Sequence, residues 1–94
     1  MKTYEMIYIL DAAAAEEAKE AIAKKFAHVV TSAGGNVLSV DKWGVKKLAY
    51  PINYKTEGDY VLMTFDAEGT VIKELDRVAG LSSEILRRVI TVKQ

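Results

Sequence analysis

The chain has 94 residues, with 13 basic and 13 acidic side chains for a formal net charge of zero, and it contains no cysteine. This length predicts one domain over residues 1–94, large enough to bury a core without cross-links. The lack of cysteine excludes a disulfide framework and a thiolate metal site. No apolar run approaches the roughly 20 residues needed to cross a bilayer, and no secretory signal is recognisable, so we expect no membrane partner.

The first predicted elements are a strand and a long helix. Residues 1–10 are rich in Tyr and Ile, which is typical of a strand. Asp11 is a candidate N-cap, and the alanines after it are strong helix formers. Gly34 and Gly35 end the predicted helix, because glycine readily adopts the left-handed conformation found there. The apolar stripe of this helix consists of Ala18, Ile22, Phe26, Val29, Val30 and Ala33.

Residues 36–52 predict a second strand with two irregular features. Gly44 indicates a bulge within the strand. Pro51 has no N–H to donate to a neighbouring strand, so the second strand is expected at a sheet edge. The turn residues Asn53, Gly58 and Asp59 then predict a connection over residues 53–59.

Three further elements complete the predicted fold. Residues 60–65 form a third strand, residues 70–79 a short helix that ends at Gly80, and residues 85–93 a last strand. The order βαββαβ, with right-handed crossovers, predicts an α+β fold of the ferredoxin-like type. Its four-stranded antiparallel sheet has the order 4-1-3-2, and both helices cover one face.

Alternation along the strands predicts which residues face the helices. Even-numbered residues of the first strand and odd-numbered residues of the third strand point toward the helices. The helix side would then carry Met6, Tyr8, Leu10, Val61, Met63 and Phe65. Ile7, Ile9, Tyr60 and Leu62 would lie exposed on the open face, where an apolar patch usually marks a contact surface. The pattern leaves the phase of the last strand undecided.

The sequence offers little for catalysis. It has a single histidine, His28, on the polar side of the first predicted helix, and the carboxylates fall mostly on helix surfaces. The sequence therefore has few of the residues from which nucleophilic catalytic sites and metal sites are built. We expect no enzymatic activity, no catalytic residue, no cofactor, no metal and no small-molecule substrate.

The most informative segment is residues 43–52, WGVKKLAYPI. A glycine, two bases and Leu-Ala-Tyr-Pro-Ile follow in the same order as in the small-subunit ribosomal protein six family, which this chain resembles. Tyr4-Glu5 before the first strand's apolar run, Gly58 before Tyr60, and the pair Arg87-Arg88 agree with that family. The resemblance covers essentially the whole chain.

This resemblance implies a structural protein of the cytoplasmic ribosome. It further implies binding to the central domain of small-subunit rRNA, together with small-subunit ribosomal protein eighteen. Five basic residues match basic positions of the family, and we expect them to contact RNA or the partner: Lys2, Lys46, Lys47, Arg87 and Arg88. The open-face residues Ile7, Ile9, Tyr60 and Leu62 are expected to face the partner.

Neighbouring residues in a strand point to opposite faces, so at most one base of each adjacent pair lies on the open face. Arginine binds phosphate with a planar fork, so we expect Arg87 or Arg88 to matter more for RNA than Lys19, Lys24 or Lys25 on the first helix. Tyr50 is expected to be largely buried.

A second interpretation remains open at this point. The chain is alternatively a ferredoxin-like module that binds a small molecule or has a regulatory role, and that forms homodimers through its sheet. Co-sedimentation with the small ribosomal subunit separates these two interpretations.

Overall fold

The structure, a computed structural model, describes residues 1–52 and 54–93. The elements follow in the predicted order, β1 (Lys2–Asp11), α1 (Glu16–Ser32), β2 (Asn36–Ile52), β3 (Lys55–Ala67), α2 (Gly69–Leu81) and β4 (Ile85–Val92). The four strands form an antiparallel sheet in the order β2-β3-β1-β4. The ferredoxin-like prediction is therefore confirmed, and β2 lies at a sheet edge as Pro51 indicated.

The core lies between the sheet and the two helices. Tyr8 packs edge-on against Phe26 of α1, with ring centroids 5.1 Å apart, and Tyr4 stacks on Phe65 at 5.8 Å. The predicted alternation is confirmed on this face, where these side chains are buried: Met6, Tyr8, Leu10, Val61, Met63 and Phe65. Leu75 of α2 is also fully buried in this core. Burying large apolar side chains of this kind stabilises a fold by roughly 1.5–3 kcal/mol each.

The start of α1 differs from the prediction. Asp11 is the last residue of β1, and the N-cap position belongs to Ala15. The Asp11 carboxylate instead accepts a hydrogen bond from the Ala13 N–H, and Lys55 lies 3.4 Å away. The first of these contacts, followed by the positive charge of Lys55, lowers the Asp11 pKa. Asp11 was predicted wrongly because its short carboxylate stabilises a turn after the strand as well as it would cap a helix.

The hairpin between β2 and β3 is longer than predicted. Residues 55–59 belong to β3, so Gly58 and Asp59 are strand residues and not turn residues. Asn53, the remaining predicted turn residue, lies outside the described part of the chain. Tyr54 next to it has a positive φ of 65°. Gly58 was misleading because its lack of a side chain serves close packing within the strand, which a sequence pattern does not distinguish from a turn.

Three irregularities shape β2, and the first is a shift in its pairing with β3 between Val37 and Ser39. The predicted bulge at Gly44 is confirmed, since the pairing with β3 shifts between Lys42 and Gly44, and Gly44 has a φ of +86° that favours glycine. A larger irregularity follows. Lys47 pairs with Glu57, and the next residue of β2 that pairs with β3 is Ile52, whose partner is Lys55. The sequence Leu48-Ala49-Tyr50-Pro51 therefore lies opposite a single residue of β3, and we name it the LAYP bulge.

Candidate nucleic-acid interface

The strand pairing settles which residues share the open face of the sheet. Ile7 pairs with Leu62 and Val89, and Ile9 pairs with Tyr60 and Arg87. These residues form two neighbouring rows across β3, β1 and β4. The phase of β4 follows, with Arg87 and Val89 on the open face and Arg88 and Ile90 on the helix side.

The first row is apolar and partly accessible. Ile7 and Leu62 are half-buried, and Val89 on the edge strand is 42% exposed. Asp41 of β2 pairs with Leu62 and extends this row to the other sheet edge. We call Leu62, Ile7 and Val89 the apolar row.

The second row carries aromatic and basic groups. Trp43 stacks on Tyr60 with ring centroids 6.5 Å apart and planes inclined by 12°. The Lys46 Nζ lies 5.3 Å from the centre of the Trp43 ring, within cation–π range. At the opposite edge, Arg87 is exposed on β4. We call Trp43, Tyr60, Lys46 and Arg87 the basic end of the open face.

The LAYP bulge bends over this part of the sheet. Leu48 and Ile9 both approach Gly58, which is buried. The Tyr50 hydroxyl accepts a hydrogen bond of 2.6 Å from Arg87 Nη1, so β2 and β4 are joined across the two strands between them. As a result Ile9 is only 8% exposed, and the prediction that it is exposed is wrong. Tyr50 itself is 57% exposed, so its predicted burial is also wrong.

The five predicted basic positions separate into two groups. Lys46 and Arg87 share the open face, at the same end of the sheet and at opposite edges. Three strand spacings, with an offset of two residues along the strands, place their backbones about 16 Å apart. Lys47, Arg88 and Lys2 belong to the helix side by register, and Lys2 lies near the other end of β1. Arg88 Nε donates a hydrogen bond of 2.8 Å to Asp76 Oδ1 of α2.

The opposite end of the open face is acidic. Glu5 and Asp66 follow the apolar row toward the start of β1, and Asp41 lies at the β2 end of that row. Asp66 accepts a hydrogen bond from the Thr3 hydroxyl. Glu5 and Ile9 are separated by four residues of strand, or about 14 Å. The open face thus carries mainly acids at one end, apolar residues in the middle and mainly basic groups at the other end, a division that the zero net charge hides. By register Asp11 also lies at that basic end, where it pairs with Lys55.

Lys19 of α1 is not the surface lysine that the helical pattern suggested. It is only 8% exposed, and its Nζ lies 2.9 Å from Asp59 Oδ2 and 3.7 Å from Glu16 Oε1. The hydrogen bond to Asp59 is the main cause of a raised Lys19 pKa. No signal in the sequence paired these residues, because they are 40 positions apart and belong to different elements.

Features that would indicate catalysis or metal binding are sparse. His28 is exposed on α1, as expected for a helix surface residue. In residues 1–52 and 54–93, no group of three or more His, Cys, Asp or Glu side chains is arranged to hold a metal ion. Over the same residues, neither helix has the length and apolarity required to cross a bilayer.

Comparison with known proteins decides the family. The model of the family described as ribosomal protein S6 matches residues 3–93. The chain belongs to the ribosomal protein S6 family. Small ribosomal subunit protein bS6 of Clostridium botulinum strain 657 is 42% identical over 94 residues, covering 100% of both chains. The protein of the same name from Desulforamulus reducens is 44% identical over 90 residues, covering 96% of this chain and 95% of the relative.

One solved structure agrees with the ribosomal protein S6 assignment. The crystal structure of 30S ribosomal protein S6 from Thermotoga maritima has a TM-score of 0.90 and 26% identity, covering 98% of this chain and 87% of that one. An uncharacterized protein from the same organism shares the fold alone, with a TM-score of 0.62 and 13% identity. Membership of the S6 family makes the chain a ribosomal protein of the small subunit, located in the cytoplasmic ribosome, as the resemblance implied.

Proposed function

We propose that this chain is a structural constituent of the small ribosomal subunit that binds the central domain of small-subunit rRNA together with ribosomal protein eighteen. The division of the open face into a basic end, an apolar row and an acidic end is the observation that carries this proposal. The electrostatic attraction between RNA and basic side chains grows with the number of phosphates that these side chains neutralise. At the end of this face that carries the Trp43–Tyr60 stack, Lys46 and Arg87 are the basic side chains that the strand register places on the open face.

The apolar row suits a protein partner better than RNA. Ile7, Leu62 and Val89 offer a contiguous apolar strip on a chain of only 94 residues, and such strips usually mark protein contacts. Glu5 and Asp41 flank this row and match a basic partner surface in charge. We therefore assign the apolar row and the acidic end to protein eighteen, and the basic end to RNA.

The chain alone is a weak RNA binder under this proposal. The two basic side chains at the basic end give little phosphate attraction, so a joint surface with the partner supplies the remaining affinity.

The test is a binding titration against the central-domain rRNA fragment, with and without protein eighteen, over a series of salt concentrations. We expect substantially tighter binding with the partner. Lys46→Ala is expected to reduce RNA affinity and spare the heterodimer, whereas Asp41→Asn reduces heterodimer affinity. Equal RNA affinity with and without the partner would contradict the joint surface, and failure of the heterodimer to bind this RNA would contradict the function itself.

A further inference from the structure

Arg87 differs from the other two arginines in what holds its guanidinium. Arg77 donates to the carboxylate of Glu74, and Arg88 donates to the carboxylate of Asp76. Over residues 1–52 and 54–93, the guanidinium of Arg87 bonds only to the Tyr50 hydroxyl, 2.6 Å from Nη1. A hydroxyl carries no charge, so this contact fixes the guanidinium without neutralising it.

The remaining donors of Arg87 are suited to an anion. A guanidinium has five N–H donors in a rigid planar fork, and Tyr50 uses one of them. The fork matches the geometry of phosphate or carboxylate oxygens. Arg87 is exposed on the edge strand β4, so an anion reaches these donors from solvent.

Tyr50 reaches Arg87 through the LAYP bulge. Four residues of β2 lie opposite a single residue of β3, which frees Tyr50 from the pairing with β3. Leu48 of the same bulge approaches Gly58 and helps to hold the segment over the sheet. A regular strand in place of the bulge would leave Tyr50 at the β2 edge, three strands away from Arg87.

We infer that Tyr50 is a positioning residue, whose hydroxyl holds Arg87 ready to bind a phosphate oxygen of an RNA backbone. This inference rests on the proposed function and assigns one residue pair to it. A flexible arginine loses side-chain freedom when it binds, and a preset one loses less. A phosphate is favoured over a partner's carboxylate because Lys46 and the Trp43–Tyr60 stack lie at the same end. Glu5 and Asp66 lie at the other end, and Asp11, at the Lys46 end by register, is paired with Lys55.

Tyr50→Phe removes only the hydroxyl and is the central variant. Tyr54→Phe is its matched control, because Tyr54 is 100% exposed in the turn before β3 and lies outside the basic end. The assay measures affinity of the heterodimer for the central-domain RNA across a salt series, and affinity for protein eighteen separately. Arg87→Ala and the Tyr50→Phe/Arg87→Ala pair complete a double-mutant cycle.

We expect Tyr50→Phe to weaken RNA binding by about threefold to tenfold, the range for loss of one hydrogen bond. Tyr54→Phe has no such effect, and Tyr50→Phe adds nothing once Arg87 is alanine. Urea midpoints and protein eighteen affinity stay at the wild-type values, which a merely structural role of Tyr50 would not allow.

Three outcomes would overturn the inference, and they differ from one another. If Arg87→Ala weakens RNA binding while Tyr50→Phe matches Tyr54→Phe, the positioning role is wrong and the proposed function stands. If Tyr50→Phe weakens protein eighteen binding instead, the pair serves a carboxylate of the partner. If the wild-type heterodimer does not bind this RNA, the proposed function fails and the inference with it.

Discussion

Lys19 of α1 and Asp59 of β3 form an ion pair, with Nζ and Oδ2 2.9 Å apart, on the helix side of the sheet. Their side chains are 9% and 17% exposed, so both charges are largely removed from water. The pair joins the first half of α1 to the hairpin that carries Lys46 and the LAYP bulge. Removing one partner of such a pair leaves the other charge uncompensated, which costs more than the pair itself contributes.

Lys19→Met is therefore expected to lower the free energy of unfolding by about 3 kcal/mol. Lys24→Met on the exposed side of the same helix is the control, and its effect should stay within about 0.5 kcal/mol. Urea denaturation followed by circular dichroism measures both. The double variant Lys19→Met/Asp59→Asn should recover part of the loss, and equal midpoints for the two lysine variants would show that the ion pair is unimportant.

The Tyr8 hydroxyl makes the fold sensitive to alkali. Tyr8 is 1% exposed, and burial, followed by the negative charge of Asp59, raises its pKa from 10 to about 12. A raised folded-state pKa means that stability is fully present below pH 10 and is lost as the pH rises toward 12. A shift of this size corresponds to at most about 3 kcal/mol. The raised Lys19 pKa acts in the same direction.

We expect the urea midpoint of the wild-type chain to fall steeply between pH 10 and 12, and that of Tyr8→Phe to fall less over the same interval. Phenylalanine keeps the packing against Phe26 and has no proton to lose. Tyr54→Phe provides the control, since Tyr54 is 100% exposed. Parallel pH profiles for all three proteins would contradict the role of Tyr8.

Gly58 fixes how closely the LAYP bulge approaches the sheet. A Cβ built at this position would overlap the side chain of Ile9 and lie 3.3 Å from Leu48 Cδ2. Gly58→Ala is expected to destabilise the fold by about 1–3 kcal/mol, as overpacking of a filled site does. Gly69→Ala is the control, because there the nearest atom is the Tyr4 hydroxyl at 3.8 Å.

The measurement for Gly58→Ala is again the urea midpoint, combined with RNA affinity of the heterodimer. Displacement of Leu48 moves Tyr50 away from Arg87, so RNA affinity should fall as well. A Gly58→Ala protein with the stability of Gly69→Ala would mean that the bulge adapts without cost.

The fold was predictable because its signals are local. Helical spacing in α1, two glycines after it, Pro51 at the edge strand and the glycine at the bulge each act within a few residues. The features that were left undecided or predicted wrongly depend on contacts between residues that are far apart in the sequence. Tyr50 and Arg87 are 37 positions apart, and only the four-residue bulge brings them together.

The same reason explains the undecided phase of β4. The sequence pattern does not distinguish Arg87 from Arg88. Each face of the strand carries one arginine among apolar residues, whichever face is turned toward the helices. Asp76 of α2 distinguishes them by pairing with Arg88, whose side chain is 33% exposed. Periodicity contains no information on which carboxylate of a helix lies next to a strand. The sequence therefore identifies the candidate basic residues but not the face of the sheet on which each one lies.

This difference leads to the last prediction, in which Arg87 and Arg88 have separate roles. Arg87→Ala should leave the urea midpoint nearly unchanged, because the only bond of its guanidinium within the described residues is to an exposed tyrosine. It should weaken binding of the heterodimer to RNA, and the slope of log affinity against log salt should decrease in magnitude by about 0.7–0.9.

Arg88→Ala should cost up to about 1 kcal/mol of stability, as loss of a partly exposed ion pair does, and leave the salt slope unchanged. Lys24→Ala and Lys25→Ala on α1 are the controls for a charge lost from the helix side. If either helix lysine or Arg88 changed the salt slope as much as Arg87, RNA would contact the helix side, and the assignment of the open face to RNA would be wrong.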